Sequence, residues 1–218
     1  MFIRDIMTKD VISVPGNTSL MDAKSIITEN KIRRLPIVDN GKLIGIVTKN
    51  RLGIYMNSLS TSVDHPANNQ PMTKEVKEIM ETDLVIVNPD MVIEEAVALA
   101  QEKKVGALLV VENDQLVGIV TTNDFFYKIA NPVLGIGENG TRLEVIGKGN
   151  QPLMVDAVTI VNEEGIRIIN LHVINMPKST RGQKDLVIHL DTLDVSKIEE
   201  ALRAKGYQTF IRSSKENQ

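Results

Sequence analysis

The sequence predicts a mixed α/β chain: a pair of β-α-β-β-α repeats packed on each other, then a smaller β-α-β-β-α-β domain. Three observations carry that prediction. The run Gly45-Ile46-Val47-Thr48-Lys49-Asn50-Arg51 recurs seventy-three residues later as Gly118-Ile119-Val120-Thr121-Thr122-Asn123-Asp124. At that offset Phe2–Leu52 aligns with Glu75–Phe125 without a gap, matching Ile6 with Ile79, Met7 with Met80, Asp10 with Asp83, Val14 with Val87, Ala23 with Ala96 and Leu35 with Leu108. After a Gly-rich linker the pattern changes, and strand and helix periods alternate to the end of the chain. A repeat at a fixed period settles architecture before any residue is given a chemical role.

Each copy carries the same punctuation. Val11–Val14 and Leu84–Val87 are short β-branched runs that end at Pro15 and at Asn88-Pro89, as strands running into turns do. Asn17/Thr18 and Asp90 stand where helix N-caps are expected. Leu20, Ala23, Ile26 and Ile27, and Ile93, Ala96, Leu99 and Ala100, then repeat at helical spacing. Leu35–Val38 and Leu43–Val47 flank Asn40-Gly41; Ala107–Val111 and Leu116–Val120 flank Asn113-Asp114. Asn-Gly between two apolar runs is a strong hairpin signal. A second helix closes each copy, over 51–59 and 124–130, the latter ended by Asn131-Pro132. A unit this small buries little core alone, so the two should pack as a pair.

Those motifs carry a family resemblance. The Arg33-Arg34-Leu35-Pro36-Ile37-Val38 strand and the closing Gly-Ile-Val-Thr-x-x-Asp are similar to a CBS domain, and two in tandem resemble a CBS pair, or Bateman module. The expected boundaries are 1–59 for the first repeat, 60–71 for a polar linker, 72–131 for the second repeat, and 132–141 for a linker carrying Gly135, Gly137 and Gly140. A short helix over Lys74–Met80 leads into the second copy as Ile3–Met7 leads into the first.

Residues 142–212 read as strand, helix, hairpin, helix and strand. Arg142–Ile146 alternates; Leu153, Ala157, Ile160 and Val161 have helical spacing; Gly165 sits where a C′ glycine stops a helix. Ile166–Ile174 and Lys184–Leu190 form a hairpin around the polar segment 176–183, a helix over Val195–Ala204 ends at Gly206, and Tyr207–Arg212 closes the sheet. The order is that of a ferredoxin-like domain. Asn162-Glu163-Glu164-Gly165-Ile166-Arg167-Ile168 resembles the helix-Gly-strand junction of the ACT family, regulatory modules that often bind amino acids or similar effectors at the first β-α turn. Here that turn, the candidate effector site, is Gly149, Asn150, Gln151 and Leu153, and it lacks the acidic residue the family tends to carry. A dimerising ACT-like domain is the simpler expectation. CBS pair followed by ACT-like domain is the layout of a group of small bacterial regulatory proteins.

Composition narrows the function classes. Net charge is −3 and pI about 5.7, against a nucleic-acid-coating surface, which would be basic. With no cysteine, disulfides and thiolate zinc sites are excluded. No apolar run approaches a membrane span and no signal-peptide core follows Met1, so the expected location is cytoplasmic, with neither nucleic acid nor membrane as partner.

CBS pairs bind adenosyl compounds in clefts between copies, and the resemblance assigns the candidate residues. An ionised carboxylate can accept from both ribose hydroxyls, the role implied for Asp124, with Thr121 and Asn123 beside it. The other copy completes that cleft with Asp10, Val11 and Ile12 and with Ile32, Arg33, Arg34, Leu35 and Pro36. The two guanidinium forks suit phosphate oxygens. The second cleft, built from Thr48, Arg51, Asp83, Val105, Gly106 and Ala107, departs from the pattern. Arg51 cannot accept a hydrogen bond where the family has Asp, and the facing loop carries no arginine. One good nucleotide site and one weaker or differently specific cleft are expected. AMP, ADP, ATP and S-adenosylmethionine stay open as ligands, acting as regulatory ligand and not as a cofactor.

Nothing points to catalysis: no nucleophile-base set, P-loop or dinucleotide fingerprint occurs. His172 and His189 would face each other across the hairpin if it were centred near Thr180-Arg181, without an evident third metal ligand. The leading expectation is a homodimeric regulatory protein that senses an adenosyl nucleotide and relays its state to the ACT-like domain or a regulated partner. The alternative is a structural scaffold with vestigial clefts.

Overall fold

The computed structural model describes residues 1–61, 74–147, 152–174 and 185–213. The chain divides into two compact units, Met1–Lys128 and Ile129–Gln218.

The first unit holds both repeats. In the first, α1 (Ile3–Ile6) precedes α2 (Leu20–Glu29), β1 (Arg34–Asp39), β2 (Lys42–Thr48) and α3 (Lys49–Thr61). In the second, a 3-10 turn (Val76–Glu78) precedes β3 (Ile86–Val87), α4 (Ile93–Glu102), β4 (Ala107–Glu112), β5 (Gln115–Thr121) and α5 (Thr122–Phe125). The repeat extends to backbone detail. Asn40 and Gly41 both have positive φ, and so do Asn113 and Asp114, as a type I′ hairpin turn requires. Each hairpin also shifts register at the corresponding step, between Ile37 and Val38 and between Val110 and Val111.

Several elements differ from the sequence expectation. The strand expected over Val11–Val14 reduces to one bridge from Val14 to Ile37, and that over Leu84–Val87 to Ile86–Val87. The helix expected over Lys74–Met80 is the single 3-10 turn, because Lys74 and Glu75 pair with Leu20 and Ser19 of the first copy, Glu75 in extended form. The N-caps also move. Ser19, not Asn17 or Thr18, takes the Asp22 N–H at 3.0 Å, and Val92 caps α4 while Asp90 is held by Arg4. Asn131-Pro132 does not end the last helix: a π turn over Phe126–Ala130 and a helical turn, α6 (Asn131–Leu134), follow α5. Pro132 sits in the first turn of α6, where the N–H it lacks would have no partner within that helix.

The two segments that lead into the repeats are exchanged. Ile3 and Arg4 donate to Met91 and Pro89 of the second copy, and Thr8 pairs with Ile119 through bonds of 2.9 and 3.1 Å. Reciprocally, Val76 and Lys77 donate to Thr18 and Gly16 of the first copy, and Glu81 pairs with Ile46 through bonds of 2.8 and 3.0 Å. The cores follow: Val76 and Ile79 pack in one cluster with Val14, Leu20, Ala23, Ile27, Leu35 and Val47. A β-carbon at Gly45 would run into Met80, and one at Gly118 into Met7. The repeated Gly and the repeated Met are thus two halves of one cross-contact.

In the second unit β6 (Thr141–Ile146), α7 (Leu153–Glu163), β7 (Ile168–Ile174), β8 (Asp185–Leu190), α8 (Ser196–Ala204) and β9 (Gln208–Ser213) build one antiparallel sheet in the order β7-β8-β6-β9. This is the ferredoxin-like order the sequence predicts. Gly165 and Gly206 have positive φ just past the ends of α7 and α8. Leu143, Val145, Leu186, Ile188 and Leu190 meet Ala157, Val161, Ile198 and Leu202 in the core.

Candidate functional site

Each Gly-Ile-Val-Thr run ends a strand and opens a helix, and the two ends are wired differently. In the second repeat the Asp124 carboxylate accepts from the Thr121 N–H at 2.8 Å and from its hydroxyl at 2.7 Å. Its other oxygen lies 2.8 Å from the Lys128 ammonium, which also donates to the Ile6 carbonyl at 2.6 Å. Burial pushes the Asp124 carboxyl up, but the hydrogen bonds from Lys128 and Thr121 outweigh it and hold the group below its ordinary value. In the first repeat the Thr48 hydroxyl accepts from the Arg51 N–H at 3.2 Å, while the Arg51 guanidinium donates to the Ile79 carbonyl and lies 3.6 Å from Glu81. A cation therefore closes the end of each exchanged leader, from position 51 in one copy and position 128 in the other.

Among the described residues, four cavities lie at these ends or beside the Val105–Ala107 loop. One of about 660 Å³ is lined by Arg33, Arg34, Thr48, Lys49, Asn50 and Asn57, among others. Beside it, about 470 Å³ is lined by Thr48, Arg51, Ile54, Tyr55, Ile79 and Glu81, among others. In the second repeat a cavity of about 380 Å³ has Val105, Gly106, Ala107, Thr121, Phe125 and Phe126 in its wall. The fourth, about 360 Å³, takes Asp83, Leu84, Ile86, Lys103 and Val105.

The sequence candidates fall into this frame unevenly. Arg33 and Arg34 share a cavity with Thr48 of their own copy, and Val105–Ala107 share one with Thr121 of theirs. None of these four cavities holds Asp124 together with Arg33 or Arg34, and none is lined by Asp10, Val11 or Ile12. Asp10 and Asn123 are exposed, and Ile12 is partly so. Ile32 packs on the first core, and Leu35 is fully buried there. Pro36 is buried, and its carbonyl accepts from Val14. The two copies do meet through Arg34: a β-carbon at Gly106 would collide with its guanidinium. Burial and the neighbouring Arg33 pull Arg34 down from its ordinary pKa, against a smaller opposing pull from Glu81. Gly149, Asn150 and Gln151 lie outside the described residues, and Leu153 opens α7.

Lys49 and Lys128 escaped sequence reasoning. Lys128 was legible as the i+4 partner of Asp124 on a helix. His172 and His189 do not sit opposite each other: Asn170 faces His189 and Val187 faces His172, because the register is centred one residue earlier. No cluster of three or more metal-ligating side chains occurs among the described residues. Nor is any helix among them long and apolar enough to cross a membrane.

A family model described as "CBS domain" matches residues 3–52 and 76–131. The CBS domain-containing protein YhcV of Bacillus subtilis is 30% identical over 122 residues, covering 56% of this chain and 81% of that protein. The crystal structure of a Vibrio cholerae protein assigned to acetoin utilization (AcuB) is 33% identical, with a TM-score of 0.52, covering 62% of this chain and 93% of that one. That of the CBS domain pair of protein MJ0100, in complex with 5′-methylthioadenosine and S-adenosyl-L-methionine, is 26% identical with a TM-score of 0.50, covering 60% and 97%. The matched stretch spans only 37% of another relative, the uncharacterized protein MJ1232 of Methanocaldococcus jannaschii.

Proposed function

The chain belongs to the CBS domain family, as a tandem pair, and from that premise we propose that it is a regulatory protein whose repeats bind an adenosyl ligand. The observation that carries the reading is the pair of cavities at Thr48 and Thr121, the corresponding residues of the two repeats. The MJ0100 pair, of the same family and fold, holds two adenosyl compounds. In the second repeat Thr121 and Asp124 are the ribose-reading pair, since an ionised carboxylate can exchange the Thr121 hydroxyl for a ribose hydroxyl. A ligand regulates only if it binds two states of the protein differently. The exchanged leaders are the element such a ligand would bias, because Ile6 and Ile79 end beside the ligand-reading helices.

The remaining parts of the reading extend from there. The second unit is an ACT-like relay domain, a reading its ferredoxin-like strand order supports. The working form is a cytoplasmic homodimer. Ile54 and Tyr127, corresponding positions on the closing helices, are 63% and 68% exposed and offer apolar surface to a second copy. A light-scattering mass of one chain overturns the dimer.

Thermal unfolding of wild type and Asp124→Ala with AMP, ATP, S-adenosylmethionine and 5′-methylthioadenosine tests the reading. A ligand at a hundredfold its dissociation constant adds about 2.7 kcal/mol of stability. Stabilisation of the wild type by one of the four, reduced in the variant, is the expected outcome. A flat response to all four makes the pair a scaffold.

A further inference from the structure

We propose that the two repeats sort adenosyl ligands by charge: the first-repeat cavity takes a nucleotide di- or triphosphate, and the second-repeat cavity an uncharged adenosyl group. The inference rests on the adenosyl reading above and adds to it which half takes which chemistry.

The walls carry the argument. Around the first cavity stand Arg33, Arg34 and Lys49, with the Thr48 hydroxyl and the Asn50 and Asn57 amides, and no carboxylate among the described residues lines it. Two guanidinium forks and an ammonium match the geometry and charge of a polyphosphate. Arg33 and Arg34 are adjacent like charges, and an anion between them relieves their repulsion. Three facts exclude a polyphosphate from the second cavity. Its wall is mostly apolar, with Val97, Leu108, Val120, Phe125 and Phe126 in it, and burying unpaired charge against such a wall is costly. Lys104 is the one cation among the described residues that line it. Asp124, beside Thr121 of that wall, is already paired with Lys128 and offers phosphate no donor.

The difference maps onto single positions at the repeat offset. Arg33, Arg34 and Lys49 correspond to Gly106, Ala107 and Thr122, so every cation of the first wall is replaced by a small or neutral residue in the second. Gly106 also leaves room for the Arg34 guanidinium, which a side chain there would displace.

The test is calorimetric titration of the full chain with ATP and with 5′-methylthioadenosine, each alone and each after saturation with the other. The expected result is that each ligand binds protein saturated with the other with affinity within about threefold. Arg33→Gln/Lys49→Gln should weaken ATP at least tenfold and leave 5′-methylthioadenosine unchanged. Raising salt should weaken ATP alone, since screening acts on the charged ligand. The Gln pair leaves half-buried Arg34 in place, and its thermal midpoint checks that it folds. Competition between the two ligands for one site, or ATP binding indifferent to the Gln pair, overturns charge sorting while the adenosyl reading stands. Binding of neither ligand overturns both.

Discussion

In the first repeat the carbonyl of Ile79 is closed by Arg51; in the second the corresponding carbonyl of Ile6 is closed by Lys128, one helical turn further on. The positions trade roles: Arg51 corresponds to Asp124, and Tyr55 to Lys128. Where the copies hold each other, by contrast, they are nearly interchangeable. Ile6 and Ile79, Met7 and Met80, and Gly45 and Gly118 match in identity, and their backbone bonds to the opposite copy correspond one for one. Identity at Ile6/Ile79, Met7/Met80 and Gly45/Gly118 keeps that grip the same in both copies. Around the cavities, Arg33, Arg34, Lys49 and Arg51 give way to Gly106, Ala107, Thr122 and Asp124.

The sharpest way to break that comparison is to weaken one grip at a time. Ile6 and Ile79 are each 3% exposed, and truncating a buried isoleucine to alanine costs about 2–5 kcal/mol. Ile6→Ala and Ile79→Ala should destabilise the chain by similar amounts in urea unfolding. A twofold or larger gap between them would mean that the exchange is not symmetric in energy. Gly45→Ala and Gly118→Ala come next. The added methyl meets the sulfur, Cγ and Cβ of Met80 or Met7; overpacking of this kind costs about 1–3 kcal/mol. Shortening the partner methionine should recover part of the loss, which a change confined to backbone freedom would not do.

These contacts mark the line between what was legible in the sequence and what was not. The repeat, its hairpins and the ferredoxin-like order could be read directly, because hydrophobic period and turn chemistry are local and Asn40-Gly41 or Gly165 fixes the chain within a few residues. The matched Met and Gly were visible as repeats, but their meaning was not, since nothing local says that Met7 packs on Gly118 rather than Gly45. The helix over Lys74–Met80 failed for the same reason: Lys74 and Glu75 are drawn into pairing with Leu20 and Ser19 of the other copy. At the candidate site the residue types were legible and the grouping was not. Arg34 pairs with Thr48 across the β1–β2 hairpin, so Arg33 and Arg34 share a cavity with their own copy's Thr48 and not, as the family resemblance implied, with Asp124 of the other copy.

The third test separates the two repeats by pH. Asp124→Ala removes a side chain that accepts from Thr121 and Lys128, and should cost about 1 kcal/mol at neutral pH. The folded carboxyl lies below its ordinary value of 3.8. Its contribution is therefore complete above that value and is lost as pH falls through the folded one. The gap between wild type and Asp124→Ala should close in acid. Arg51→Ala breaks the corresponding closure in the first repeat, a donation to a backbone carbonyl, and its cost, about 0.5 kcal/mol for a half-exposed group, should persist over the same range. Parallel pH profiles for the two variants would erase the distinction between the closures.

The smallest expected effect on stability probes a contact between the copies made by two divergent residues, Arg34 and Gly106. Gly106→Ala puts a methyl against the end of the Arg34 side chain, a flexible group that can move aside, so its stability cost should stay under about 0.5 kcal/mol. Its consequence should appear elsewhere. Displaced from Gly106, the guanidinium must settle either further into the cavity it shares with Arg33 and Lys49 or out into water. Pyrophosphate titration of Gly106→Ala distinguishes these, because a second fork brought into the cavity strengthens anion binding and one lost to water weakens it. Affinity should change by at least threefold in one direction, while 5′-methylthioadenosine binding changes through crowding of the second cavity wall, which Gly106 itself lines. If pyrophosphate is indifferent to the methyl group, Arg34 contributes to neither wall, and the polyphosphate site rests on Arg33 and Lys49 alone.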